Sequence, residues 1–261
     1  MKNPVKEFED GRKHNVKCLG SDVDLKASTL KWMLDVGKSG NYLYNFDWLG
    51  RPIIQYPQDI VGLQELIWKV KPDLIIEAGV AHGGSVVFTA SMLAMLDMCE
   101  AIEAGQTIDP SISSRKVIGI DIDIRAHNRA LLEAHPMASR IQLIEGSSIA
   151  PETICQVKEA AIGYKNIMVI LDSNHTHDHV LNELLAYANL VSVGNYCIVY
   201  DTLIDDMPVE SIENREWCKG NSPKSAVHAF MASNDDFELR PEVENKLLIT
   251  VAPDGFLQRV K

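Results

Sequence analysis

The sequence predicts an α/β protein with a doubly wound, Rossmann-like sheet, mostly parallel and closed by an antiparallel C-terminal edge. Five short apolar runs recur along the chain, each parted from the next by a stretch whose apolar residues fall at helical spacing. Runs apolar throughout, rather than alternating, suit strands buried on both faces, which parallel sheets are. Right-handed crossovers then wind the helices over both sides.

The elements follow in order. QDIVGLQELIWKV (58–70) repeats Ile60, Leu63, Ile67 and Val70 on one helical face and stops at Lys71-Pro72. The period then shortens in DLIIEAG (73–79), followed by the turn VAHGGS and the helix SVVFTASMLAMLDMCEAI. EAGQTIDPSISS (103–114) reads as an inserted loop. Strand KVIGID (116–121) leads to helix IRAHNRALLEAH, strand RIQLIEG (140–146) to helix PETICQVKEAA, and strand NIMVILD (166–172) to helix HVLNELLAYANLV. YCIVYD (196–201) is the fifth run. A polar loop to about Pro223, a helix KSAVHAFMAS and two strand candidates, FELR and LLITVAP joined by PEVENK, would finish the sheet.

With 261 residues, 46% of them hydrophobic, the chain can bury one full core. No apolar run nears the roughly 20 residues that span a bilayer, and the start MKNPVKEFEDGRKHN lacks a signal peptide's apolar stretch. A cytoplasmic protein is expected, with no membrane partner. The five cysteines (Cys18, Cys99, Cys155, Cys197, Cys218) are scattered and odd in number, which indicates reduced thiols, several of them buried. A formal charge of −11 argues against a nucleic-acid surface and for a small-molecule ligand; a few local basic residues could still neutralise a diphosphate.

In an open α/β sheet, ligands bind beyond the carboxyl ends of the strands. Here those ends carry Glu77-Ala-Gly79, Asp121, Gly146-Ser147-Ser148 and Asp172. Glycines at 79, 83 and 84 let the backbone turn tightly before the helix that Ser85 enters. Glu77 before the first glycine repels a diphosphate but accepts from an ammonium or hydroxyl, which disfavours a nicotinamide oxidoreductase. Asp121 can accept both hydroxyls of a ribose, with the neighbouring Asp123 read as solvated. Ser147 and Ser148 can meet an adenine edge or cap a helix.

LDSNHTHDHV (171–180) sets an aspartate and three histidines together. His175, His177, Asp178 and His179 nearly spell the His-x-His-x-Asp-His of zinc hydrolases. Nothing separates His177 from Asp178, however, and an alternating α/β chain does not suit that sheet sandwich.

EAGVAHGGS, IGIDID, GSS, LDSNHTHDHV and VYDT, in that order and spacing, resemble the S-adenosylmethionine (SAM)-dependent methyltransferases of the cephalosporin-hydroxylase-like and rhamnosyl O-methyltransferase family. The resemblance runs from about Pro52 to the C-terminus and takes in KGNSPKSAV and ENKLLITVAPDGFL. It implies an O-methyltransferase acting on a sugar or sugar-nucleotide hydroxyl. Glu77, Gly79, His82, Gly83, Ser85 and Asp172 would surround the methionine end of SAM, with Asp121 on the ribose and Ser147 or Ser148 near the adenine. Residues 1–50 would then be an N-terminal extension, serving as acceptor lid or oligomer contact, before a methyltransferase domain over 51–261. A homo-oligomer is expected.

Catechol and macrolide sugar methyltransferases, similar in layout, hold Mg²⁺ with an acid after the fourth strand and an acid pair or Asp-Asn after the fifth. Here those places are Asp172 and Tyr200-Asp201-Thr202. Tyrosine is a poor ligand for a hard cation, so Asp172 and Asp201 would carry Mg²⁺ or Mn²⁺, with Thr202, His175, Asp205 or Asp206 and water completing the shell. His175 is expected as base or ligand, with Asp172 and Asp201 the other catalytic residues; His177 and His179 are expected as helix-capping or surface residues. Tyr200, Asp59, Lys219 and Asn221 are the substrate candidates, with Gln64 and Lys224 beside them. The alternative outside catalysis is a methyltransferase-fold partner protein.

Overall fold

The computed structural model describes residues 3–211 and 215–261. Positions 212–214 of the polar loop expected before Pro223 lie outside the described residues.

Two helices come first, α1 (Pro4–Ser21) and α2 (Val23–Gly40). Asn3 caps α1 through hydrogen bonds from the amides of Val5 and Lys6, and Asp22 caps α2 through that of Leu25. Met33 of α2 is buried in the main core, so residues 1–50 contribute to the fold's interior. A hairpin of β1 (Phe46–Trp48) and β2 (Arg51–Ile53) crosses residue 50. Helix α3 (Pro57–Val70) follows, with proline at its first position, where a missing N–H costs nothing.

The alternating part runs as expected: β3 (Leu74–Ala78), α4 (Gly84–Ala104), β4 (Lys116–Asp121), α5 (Ala126–Glu133), β5 (Ile141–Glu145), α6 (Pro151–Ala160), β6 (Ile167–Leu171), α7 (His177–Tyr187) and β7 (Tyr196–Val199). Helix α8 (Pro223–Met231) and strand β8 (Phe237–Leu239) match KSAVHAFMAS and FELR. The next two expectations fail. PEVENK forms helix α9 (Pro241–Leu247), begun by its proline, and LLITVAP is irregular; the last strand is β9 (Phe256–Arg259). Ile249 and Val251 still pack, but Leu248 sits at φ 59, outside the extended region.

The seven-stranded sheet has the order β5-β4-β3-β6-β7-β9-β8. Strands β3 to β7 are mutually parallel, and β9 is antiparallel to both neighbours. The chain winds outward from β3 to β5 and returns to β6 at β3's other side, which makes β3/β6 the switch point where a ligand crevice opens. Alternate residues feed two cores: Ile75, Ile170 and Ile198 face α3 and α4, while Ile76, Val169 and Val199 face α6, α7 and α8. Each buried aliphatic side chain adds roughly 1.5–3 kcal/mol.

Two composition readings need correction. Helix α4 is 21 residues long and apolar enough to cross a bilayer by length and composition alone, although half of its apolar window is buried inside the fold. Among the described residues Cys197 is the one buried cysteine; Cys18, Cys155 and Cys218 are exposed and Cys99 is intermediate.

Candidate active site

The glycine turn after β3 is held on both sides by protein groups. Asp121 Oδ2 accepts from the amides of Val80 and Ala81 at 2.9 and 3.0 Å, so the carboxylate expected on a ribose already clamps this turn. Its Oδ1 accepts from the amide of Asp123, whose side chain is exposed. Asn128 donates to the Ala81 carbonyl at 3.1 Å, and Arg51 donates to the His82 carbonyl and to Asn128 Oδ1. Gly79 is required twice over: its φ is 100°, and a Cβ there would lie 2.0 Å from the Asp172 carbonyl oxygen. Gly83, at φ 84°, caps α4, and Ser85 stands in that helix's first turn.

Glu77 is 2% exposed. Burial pushes its carboxyl up to about 7, against hydrogen bonds from Ser85 and Thr89. A cationic ligand group reaching it would offset that burial penalty and favour the carboxylate.

Asp172 follows β6, His175 lies in the loop after it, and Asp201 follows β7. One ligand atom from each lies within 4.8 Å of the others. His175 Nε2 is 3.2 Å from Asp201 Oδ2, and its ring meets Trp217 edge-on with centroids 6.0 Å apart. Asp201 takes φ 57°, a left-handed turn that aspartate tolerates better than most residues and that ends the strand's extended run. The Asp172 carboxyl stands well above its ordinary range, first through desolvation and then through repulsion from Asp201, Glu77, Glu183 and Asp59. Two carboxylates and an imidazole at one point suit a divalent cation such as Mn²⁺ or Mg²⁺, whose charge would offset that repulsion.

Other expected residues do not join them. The Thr202 hydroxyl donates to the Pro253 carbonyl at 2.6 Å, away from the cluster. Asp205 accepts from the Gly220 amide and the Ser222 hydroxyl, and Asp206 pairs with Lys224 at 2.5 Å. Asn221 uses its side chain to hold the amide of His177 and the carbonyl of Glu216, so it braces a loop. Lys219 and Gln64 are exposed; Gln64 lines a groove between α1 and α3 that reaches Tyr196, at the opposite end of the sheet from Asp201. Asp59 is buried and accepts from the Val251 amide at 3.0 Å, while burial pushes its carboxyl up to about 7. Tyr200 is buried beside Gln55.

The histidines divide their work. Thr176 is the N-cap position of α7 and His177 its first residue, with Nδ1 2.8 Å from the Ser225 hydroxyl. His179 belongs to a network anchored on the buried Ser148 and Glu183 instead of standing free on the surface. Glu183 Oε1 accepts from the hydroxyls of Ser148 and Ser173, both at 2.5 Å, and His179 Nε2 lies 3.0 Å from Ser148 Oγ. Tyr187 donates to the Ser148 carbonyl at 2.5 Å. Three residues at successive helical turns of α7 thus stitch the loop after β5 to the loop after β6. Ser148 is therefore turned into protein; the N-cap of α6 is Ala150, with Ser147 accepting the Ala150 amide through its carbonyl.

Sequence reasoning missed Arg51, Asn128, Gln55 and Glu183. Glu183 carried a legible signal: it shares the apolar stripe of Val180, Leu184 and Tyr187, where an acid must have polar partners. Arg51 and Asn128 act across long sequence separations and carried none.

A family model described as Rhamnosyl O-methyltransferase/CmcI matches residues 40–260. A rhamnosyl O-methyltransferase of Mycobacterium tuberculosis is 31% identical over 206 residues, covering 77% of this chain and 73% of that protein. One from Mycobacterium leprae is 28% identical over 223 residues, covering 84% and 86%. Among solved structures, CmcI with Mg and SAM superposes with a TM-score of 0.54 at 19% identity, over 84% of this chain and 78% of that one. An O-methyltransferase from Bacillus cereus with S-adenosylhomocysteine gives 0.52 at 16%, over 90% and 91%. The two structures share the fold, with the parallel sheet and its antiparallel edge. Matched over most of its length by the family model and by curated relatives, this chain belongs to the rhamnosyl O-methyltransferase/CmcI family.

Proposed function

We propose that this protein transfers the methyl group of SAM to a hydroxyl of a sugar or glycosylated small molecule, with a divalent cation held by Asp172 and Asp201. The chain is a SAM-dependent O-methyltransferase by family, and the sugar acceptor follows the rhamnosyl O-methyltransferases it is similar to. The observation that carries the reading is the meeting of Asp172, His175 and Asp201 beside the glycine turn, at the switch point of the sheet.

Methyl transfer is an in-line displacement: the acceptor oxygen bonds to carbon as the carbon–sulfur bond breaks, and the hydroxyl proton must go to a base. His175 is placed for that proton, with its ring oriented by Asp201 and Trp217. Glu77 and Asp172 present carboxyl groups to the ammonium of the methionine end, and the prebuilt turn of residues 79–83 fixes where that end lies. A bound cation would lower the pKa of the acceptor hydroxyl.

The test is calorimetric titration of metal-stripped protein with SAM, with and without Mg²⁺ or Mn²⁺ and with NAD as control, followed by transfer of labelled methyl to a panel of rhamnosides. SAM binding with label appearing on a sugar oxygen is expected. Binding of NAD in place of SAM would return the glycine turn to the dehydrogenases.

A further inference from the structure

The segment between β2 and α3 buries polar atoms that find no partner. Among the described residues, Gln55 Oε1, Gln58 Oε1 and Asp59 Oδ1 have no hydrogen bond, and neither does the Tyr200 hydroxyl. Leaving such groups buried and unpaired forfeits their hydration with nothing in return, so a fold that keeps several of them side by side has a use for them.

Their placement follows from the sheet. Leu171 pairs with Val199, and the Tyr200 amide donates to the Leu171 carbonyl, which puts Asp172 and Tyr200 side by side on adjoining strand ends. By strand alternation Glu77, Asp172 and Tyr200 share the sheet face of Ile75, Ile170 and Ile198, the face that α3 covers. Tyr200 lies beside Gln55 and within the field of Asp59, while Tyr56 feels both Asp59 and Asp201. Gln55, Asp59 and Tyr200 therefore form a buried polar cluster over β7, one strand beyond the switch point and next to Asp201.

The two amide oxygens only accept, while the tyrosine hydroxyl and the Asp59 carboxyl, pushed up to about 7, can donate or accept, so the group that enters must do both, as a hydroxyl does. An ammonium only donates, and Glu77 and Asp172 already serve that charge nearer the glycine turn. We infer that Tyr200, Asp59 and Gln55 bind the hydroxyls flanking the methylated position of the acceptor sugar, and so decide which hydroxyl pattern the enzyme accepts. This rests on the proposed sugar methylation. A site built to hydrogen-bond a hydroxyl rejects analogues lacking it by as much as ~10⁴-fold, because its own groups are then stranded.

Tyr200→Phe removes an oxygen whose contact with Gln55 falls short of hydrogen-bond geometry, so the variant should unfold at close to the parent's urea concentration. Asp59→Asn keeps an oxygen for the Val251 amide and turns the orphaned acceptor into a donor. Both are titrated with SAM and, with S-adenosylhomocysteine bound, with methyl α-rhamnoside; crystals of the parent are soaked with the same pair. Expected are SAM affinities within about twofold of the parent, sugar affinity at least tenfold weaker in both variants, and sugar hydroxyls against Tyr200 and Asp59 in the crystal. Unchanged sugar affinity, loss of SAM affinity to the same degree, or crystals in which only the amino-acid end of the donor or water meets Tyr200 and Asp59 would overturn the assignment. If the parent binds no SAM, the methyltransfer reading itself fails, which separates the two conclusions.

Discussion

Replacing Glu77 by glutamine tests the electrostatics of the donor site without touching its shape. The buried carboxyl ionises at about 7 in the fold against 4.5 in an unfolded chain. At roughly 1.4 kcal/mol per pH unit, that gap amounts to about 3 kcal/mol. Below the unfolded value both states hold the proton and nothing is lost. As pH rises towards 7 the unfolded chain releases its proton first, so stability falls, and above the folded value the loss is complete and constant. Glutamine cannot ionise and escapes this. Urea unfolding of both proteins, without donor, should therefore show the stability of Glu77→Gln relative to the parent growing by about 3 kcal/mol between pH 4.5 and 7. Asp59 acts in both proteins and cancels in the difference, while Asp172, relieved of repulsion from Glu77, shifts down in the variant and adds to the gain in the same direction. A difference that stays flat over that window would refute the reasoning.

Other perturbations should behave as follows. Asp201→Asn should lower turnover by roughly 100-fold or more while SAM affinity changes little, checked by pairing calorimetry with a methyl-transfer assay; undiminished turnover would remove Asp201 from the chemistry. Gly79→Ala should cost at least the ~1–2 kcal/mol of a left-handed alanine and should weaken SAM binding too, because its Cβ would press on the Asp172 backbone; thermal melting and calorimetry read both. Asp97 accepts from Arg115, from Ser113 at 2.7 Å and from Arg140, itself 2% exposed, at the amino ends of β4 and β5. Asp97→Ala should cost about 3–5 kcal/mol in urea unfolding yet leave SAM affinity intact, since the cluster is remote from the carboxyl edge.

The parallel strands were legible because burial on both faces leaves uninterrupted apolar runs, and the acids ending those runs marked the site before any coordinates. Asp172 was read that way; Asp201 was expected from the family resemblance and His175 from its place three residues past Asp172, and the fold brings the three within 4.8 Å. What failed did so for local reasons. LLITVAP has a strand's composition, but its neighbour Pro241 starts a helix and Leu248 breaks the extension, so β9 forms later from FLQR. Ser148, Thr202 and Asn221 stand where ligand groups were expected, yet each spends its polar atoms on protein neighbours. Spacing along the chain shows which residues reach the edge; it does not show which way they then turn.

The hydrogen bonds from Arg51 to the His82 carbonyl and to Asn128 have a thermodynamic implication. Arg51 is the strand residue from which the chain runs on through Gln55 to Asp59, so the strap joins the turn that receives one substrate to the segment lining the place of the other. Any shift of that segment when a sugar enters would be felt at the turn, and filling the turn would stiffen the segment in return. Occupancy of the two sites should thus be mutually dependent: saturating the enzyme with S-adenosylhomocysteine should change the dissociation constant of methyl α-rhamnoside, and the sugar should change that of S-adenosylhomocysteine by the same factor.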